Sequence, residues 1–173
     1  RVICFVGDGL RELMIRVLGP GEEWRLESSL ALFTEHHDRH LLDHTALYPG
    51  VQASLDFFRN KKKVVLTNKR WHFADKILRS LGIGDYFDAV IGGDCYPYMK
   101  PDARLIPPIL DRFSTTPELT VMVGDGRNDV LLAKQTGLVS CAYLGGLTDP
   151  RVLLALDPDY AIQYMSDLPS LFH

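Results

Sequence analysis

The run Val121-Met122-Val123-Gly124-Asp125-Gly126-Arg127-Asn128-Asp129 constrains this chain more than any other stretch. Three apolar residues, two of them β-branched, stop at a glycine, and two carboxylates four residues apart follow. A buried strand ending in Gly-Asp puts the first carboxylate at the carboxyl edge of a sheet, where open α/β folds bind ligands. The second carboxylate then falls in the first turn of a helix opening at Asn128. Paired oxygen ligands at such an edge suit a hard cation such as Mg²⁺, which also draws on substrate phosphate to complete its shell.

The rest of the chain supports that placement. Apolar positions Leu10, Leu13, Met14 and Val17 share one helical face, and Gly19-Pro20-Gly21 stops it. A second helix is expected over residues 22–43, with Leu26, Leu30, Phe33 and Leu41 facing inward. Tyr48-Pro49-Gly50 breaks the pattern and divides a helical subdomain, 1–44, from an α/β core, 45–173. From there helices are expected over 51–59, 73–81, 101–113 and 129–136, and short strands over 64–66, 89–91, 120–123, 139–144 and 160–162. Such alternation implies a parallel sheet flanked by helices.

With 173 residues the chain can bury one good core and a small accessory subdomain. A net charge of −3 gives no electrostatic footprint for nucleic acid. The basic run Arg59, Lys61, Lys62 and Lys63 reads as a solvated turn. No apolar stretch approaches the ~18 residues of a membrane span. Cys4, Cys95 and Cys141 are odd in number and far apart, so neither a disulfide framework nor a zinc site is expected, and a reducing cytoplasm fits.

Three further positions fall at strand ends. Thr67 and Asn68 bring a hydroxyl and an amide, which could donate to a phosphate or cap a helix. Lys100, just before Pro101, could meet an anion or stand in solvent. Asp125 and Asp129 could hold a metal or serve as an N-cap and a first-turn acid.

Taken in order, strand-Thr-Asn, then Lys-Pro, then Gly-Asp-x-x-x-Asp, the chain resembles the haloacid dehalogenase-like superfamily in its second, third and fourth motifs. Tyr48-Pro49-Gly50-Val51, Thr67-Asn68-Lys69, Tyr86-Phe87-Asp88, Gly92-Gly93-Asp94 and 124–129 resemble the phosphoglycolate phosphatase branch in particular. The resemblance implies a Rossmann-like core with a helical cap and Mg²⁺-dependent hydrolysis of a small phosphorylated metabolite through an aspartyl-phosphate. It gives Asp125 the role of metal ligand, with Asp129 as a second acid supporting the metal site. Thr67 and the Asn68 amide would hold phosphoryl oxygens, and Lys100 would offset charge on nucleophile and phosphate.

The family's first motif, an apolar strand ending Asp-x-Asp-Gly-Thr, has no match here. Laid on 2–10, it sets Val6 where the nucleophile belongs and Asp8 where the general acid/base belongs, which describes a dead enzyme. Laid instead on the start of a cap helix, residues 6–13 imply that a few dozen residues carrying the first strand precede Arg1. In that reading the sheet has a trench at its centre, unless 2–6 fills it as a makeshift strand. A phosphatase for a sugar phosphate or nucleotide, and a nucleophile-less phosphate-binding or regulatory module, are the competing expectations. His36, His40 and His44 recur every four residues, a spacing that suits a metal or a solvated helix face. Trp24, Trp71, Tyr96 and Tyr98 are expected to pack rather than bind ligand.

Overall fold

The computed structural model describes residues 6–173. A helical pair comes first: α1 spans Leu10–Leu18 and α2 spans Leu26–His40, with a 3-10 turn at Glu23–Arg25 between them. Met14, Leu26 and Leu41 are its buried side chains, whereas Val17, expected on the same face as Met14, is 47% exposed. Trp24 departs from expectation: it is 80% exposed, because the 3-10 turn throws it outward from the pair. The second helix also stops earlier than its pattern suggested, so His44 lies in a turn outside it.

The remaining chain alternates as anticipated. Helix α3 (Val51–Phe57) leads to β1 (Val64–Leu66), α4 (Trp71–Ser80) to β2 (Ala89–Ile91), and α5 (Ile106–Phe113) to β3 (Val121–Gly124). Then come α6 (Arg127–Thr136), β4 (Val139–Tyr143), α7 (Pro150–Leu154), β5 (Tyr160–Ile162) and α8 (Leu168–Leu171). The lysine run between α3 and β1 is partly structural, since Lys63 Nζ donates to the Phe58 carbonyl at 2.6 Å and so caps the end of α3.

All pairings among the described residues are parallel, and they form two separate sheets. One is β1–β2, with Val65 opposite Val90; the other is β3–β4–β5, with Val123 opposite Cys141 and Cys141 opposite Tyr160. β1 and β3 are therefore both edge strands among these residues. Side chains alternate across the second sheet as a pleat requires. Val121, Val123, Cys141, Tyr143 and Ile162 pack against Phe58 and Leu168 on one face. Met122 packs on the other face against Leu105, Ile106, Leu132 and Ala133, and Leu66 from β1 joins that same cluster. The two sheets thus share one hydrophobic core although no ladder joins them. Arg1 to Phe5, which include the proposed makeshift strand, lie outside the described residues; Val6 sits in a turn and is 55% exposed.

Candidate active site

Lys100 lies at the centre of the strand ends. Its ammonium donates to the Leu66 carbonyl, the last residue of β1, at 2.6 Å, and to Asp129 Oδ1, in the first turn of α6, at 2.6 Å. Both side chains are nearly buried, at 12% and 11% exposure, so this is an interior ion pair rather than a surface contact. The other oxygen of Asp129 accepts from the Gly126 amide at 3.0 Å, supplying the helix start with a partner it would otherwise lack. Gly124 is required by this arrangement: a Cβ there would stand 2.2 Å from Asp129 Oδ2.

Asn68 fixes Lys100 from the backbone side. Its Oδ1 accepts from the Lys100 amide at 2.9 Å, and its Nδ2 donates to the Lys100 carbonyl at 2.9 Å. The side chain of Asn68 is therefore a clamp. Thr67 is anchored by its amide, which donates to Ile91 O at 2.9 Å, while its hydroxyl accepts from the Lys69 amide at 3.1 Å. That leaves the Thr67 hydroxyl proton available to a phosphoryl oxygen.

Asp125 stands apart from this cluster. Its Oδ2 accepts from the Leu147 amide at 3.0 Å, and a Cβ on Gly146 would lie 2.2 Å from Asp125 Cβ, so the loop after β4 packs directly against it. Tyr48 is close by: burial, and then the negative charge of Asp125, raise its phenol above the ordinary tyrosine value. Among the described residues Asp125 and Asp129 share no hydrogen-bond partner, and Asp129 is already paired with Lys100. Among the described residues no three His, Cys, Asp or Glu side chains converge as a metal site. These residues alone do not complete a Mg²⁺ shell, which demands near-octahedral oxygen coordination.

The helical pair meets the core around this cluster. Gly7 O accepts from Asn68 Nδ2 at 2.6 Å and from Asn128 Nδ2 at 3.2 Å, so one carbonyl of the pair is gripped by two core amides. Next to it, Asp8 accepts from Asn128 Nδ2 at 2.8 Å and pairs with Arg16 at 2.6 Å. The Asn128 hydrogen bond, and then Arg16, hold the Asp8 carboxyl below its ordinary value. Farther along α2, His37 Nε2 lies 3.2 Å from Lys69 Nζ, and Asp38 pairs with Lys76 at 2.8 Å.

Sequence reasoning did not foresee the Asn128 contacts or the His37 contact. The only signal for them was that Asn68 and Asn128 each flank a motif at a strand end. Among the described residues the histidine series forms no metal cluster: the His36 and His40 rings lie tilted to each other at 4.4 Å, and His40 reaches Asp43 at 2.7 Å. Tyr96 and Tyr98 stack at 5.5 Å and pack against the α5–α6 cluster, as expected of packing residues.

The sequence profile of the haloacid dehalogenase-like hydrolases matches residues 5–137. The chain belongs to that family. Among characterised relatives, it is 35% identical over 178 residues to phosphoglycolate phosphatase 1 of Pseudomonas aeruginosa, covering 97% of this chain and 64% of the relative. It is 31% identical over 180 residues to the phosphoglycolate phosphatase of Chromobacterium violaceum, covering 99% of this chain and 79% of that one. The chain thus spans under two thirds of the Pseudomonas enzyme's length. A haloacid dehalogenase-like hydrolase from Streptococcus pneumoniae has the same fold, with a TM-score of 0.85 over 99% of this chain and 80% of that one, at 21% identity. A subfamily IA hydrolase from Geobacter sulfurreducens matches with a TM-score of 0.71 at 21% identity, over 94% of this chain and 72% of that one. No helix among the described residues is long and apolar enough to cross a membrane.

Proposed function

We propose that this chain forms the cap and most of the core of a Mg²⁺-dependent phosphomonoester hydrolase acting on a small phosphorylated acid, with 2-phosphoglycolate as the first substrate to test. The observation that carries the reading is the Lys100 ammonium held between the end of β1 and the first turn of α6. A buried cation fixed at two strand ends is preorganised to meet the charge of a phosphoryl group without reorganising. Thr67 brings a hydroxyl to the same edge. Asp125 would supply one oxygen ligand to Mg²⁺, and the phosphate and residues outside the described ones would supply the others.

The nucleophile in this reading would be an aspartate on an apolar strand lying between β1 and β3, each an edge strand among the described residues. It attacks phosphorus, the ester oxygen leaves with the alcohol, and water then cleaves the acyl phosphate to regenerate the carboxylate. The helical pair, tied to the site through Gly7, acts as the cap.

The test is phosphate release by the natural polypeptide that carries this chain, on 2-phosphoglycolate, a sugar phosphate and a nucleotide, with and without EDTA. We expect EDTA-sensitive turnover with preference for 2-phosphoglycolate. Equal rates on all three esters would defeat the substrate assignment. Tight phosphate binding with no turnover, and no aspartyl-phosphate trapped by fluoride or seen by mass spectrometry, would favour a binding module instead.

A further inference from the structure

A cleft of about 670 Å³ opens between the helical pair and the core. Asn68 lies at its inner side, Leu10, Leu30 and Met99 give it apolar walls, and Arg70 lines it from the start of α4. Nearly every charged group on its surface has a counter-group. Arg11 pairs with Glu27 at 2.9 Å, Glu35 pairs with Arg39, and Asp94 accepts from the Trp71 amide at 2.7 Å. Arg70 is different. Its carbonyl accepts from the amides of Phe73 and Ala74, which fixes its backbone, but among the described residues its guanidinium makes no ion pair and no hydrogen bond.

We propose that Arg70 is a specificity-determining residue that binds the carboxylate of a short phosphorylated carboxylic acid, and so separates such acids from phosphate esters of neutral alcohols. The inference rests on the phosphatase reading above. A guanidinium offers a planar fork of donors that matches a carboxylate in a bidentate pair. Only Lys69 separates Asn68 from Arg70, so their Cα atoms stand no more than about 7 Å apart. A molecule holding its phosphate near Thr67 and Asn68 therefore needs only a few atoms between its two anionic ends to reach Arg70. Leu10, Leu30 and Met99 suit the carbon chain of such a molecule.

The experiment compares kcat/KM for 2-phosphoglycolate with that for p-nitrophenyl phosphate, which has no carboxylate, in the natural polypeptide and its Arg70→Ala and Arg70→Lys variants. In Arg70→Ala the preference for 2-phosphoglycolate should fall about 10- to 100-fold, the range expected for a lost charge-assisted hydrogen-bond pair. The loss should appear in KM more than in kcat, because a remote carboxylate is bound alike in ground and transition states. Arg70→Lys should recover part of the preference by charge alone. A preference that stays constant, whether both rates fall together or neither moves, overturns the inference. A wild-type polypeptide that hydrolyses neither ester overturns the phosphatase reading first, and this inference with it, before any variant is compared.

Discussion

Strand β4 and the two strands that carry the site are covered very differently. In β4 four of five residues are buried, and Ala142 is fully inaccessible. Every residue of β1 and of β3 is only partly buried. In a doubly wound parallel sheet the innermost strands should be the better covered, since helices pack on both faces. The difference follows from pairing: β4 has a neighbour on each side, whereas β1 and β3 each have one among the described residues. Where strand ladders are lacking, the Lys100–Asp129 pair and the shared Leu66–Met122 cluster hold the two halves together. Among the described residues the candidate site therefore lies where backbone hydrogen bonds join the two sheets least, the gap that the strand proposed between β1 and β3 would fill.

The largest effect should come from breaking that pair. Lys100→Met leaves the Asp129 carboxylate buried without its cation, which costs about 3–5 kcal/mol and should appear as a lower urea midpoint. Turnover should vanish as well. Adding Asp129→Leu to Lys100→Met should restore much of the stability but none of the activity, which separates the structural role of the pair from the chemical one. A loss below about 1 kcal/mol for Lys100→Met would show that the pair behaves as a surface contact.

Core truncations test the two regions directly. Leu153 has no exposed surface and packs with Val130 and Ala142 beneath β4, so Leu153→Ala should cost about 2–5 kcal/mol. Val65→Ala in half-covered β1 should cost about 1 kcal/mol, since only part of the side chain leaves water on folding. The useful reading is the difference between the two. If Val65→Ala costs as much as Leu153→Ala in the natural polypeptide, β1 is covered there by a strand on its free edge.

The sequence made the core legible because its signals are local. A strand ending at Gly124, an acid at Asp129 and an apolar helix face can all be read within a dozen residues. Gly124 even has a reason visible only in three dimensions, the carboxylate lying against it, yet its motif was plain. What escaped was of three kinds. The short helices α7 and α8 each begin with a proline in their first turn, which reads as a break until the turn is seen. Contacts between the helical pair and the core join residues 120 apart, as with Asn128 and Asp8, and no periodicity reports such a meeting. Trp24 failed for a third reason: size alone favours burial, but a 3-10 turn decided its direction.

The smallest expected effect concerns that same interface, where His37 of α2 faces Lys69 of the core. His37 also stacks with Phe33 at 5.3 Å and meets the edge of Phe73 at 5.0 Å. Burial, and then the charge of Lys69, hold its imidazole below the ordinary value of 6.5, against an opposing pull from Asp38. Burial also lowers Lys69. Because the folded value lies below the unfolded one, His37 contributes its full stabilisation above pH 6.5 and loses it as pH falls through the folded value. Protonation sets a second cation against Lys69 and loosens the helical pair. The net effect should stay under about 1 kcal/mol, as for partly exposed charges elsewhere. Hydrogen exchange in α1 and α2 should quicken between pH 7.5 and 5.5 relative to β4, after correction for intrinsic rates. His37→Gln should flatten that response. An unchanged response in His37→Gln would mean that the interface is held by Gly7 and Asp38 alone, and that the proton plays no part in it.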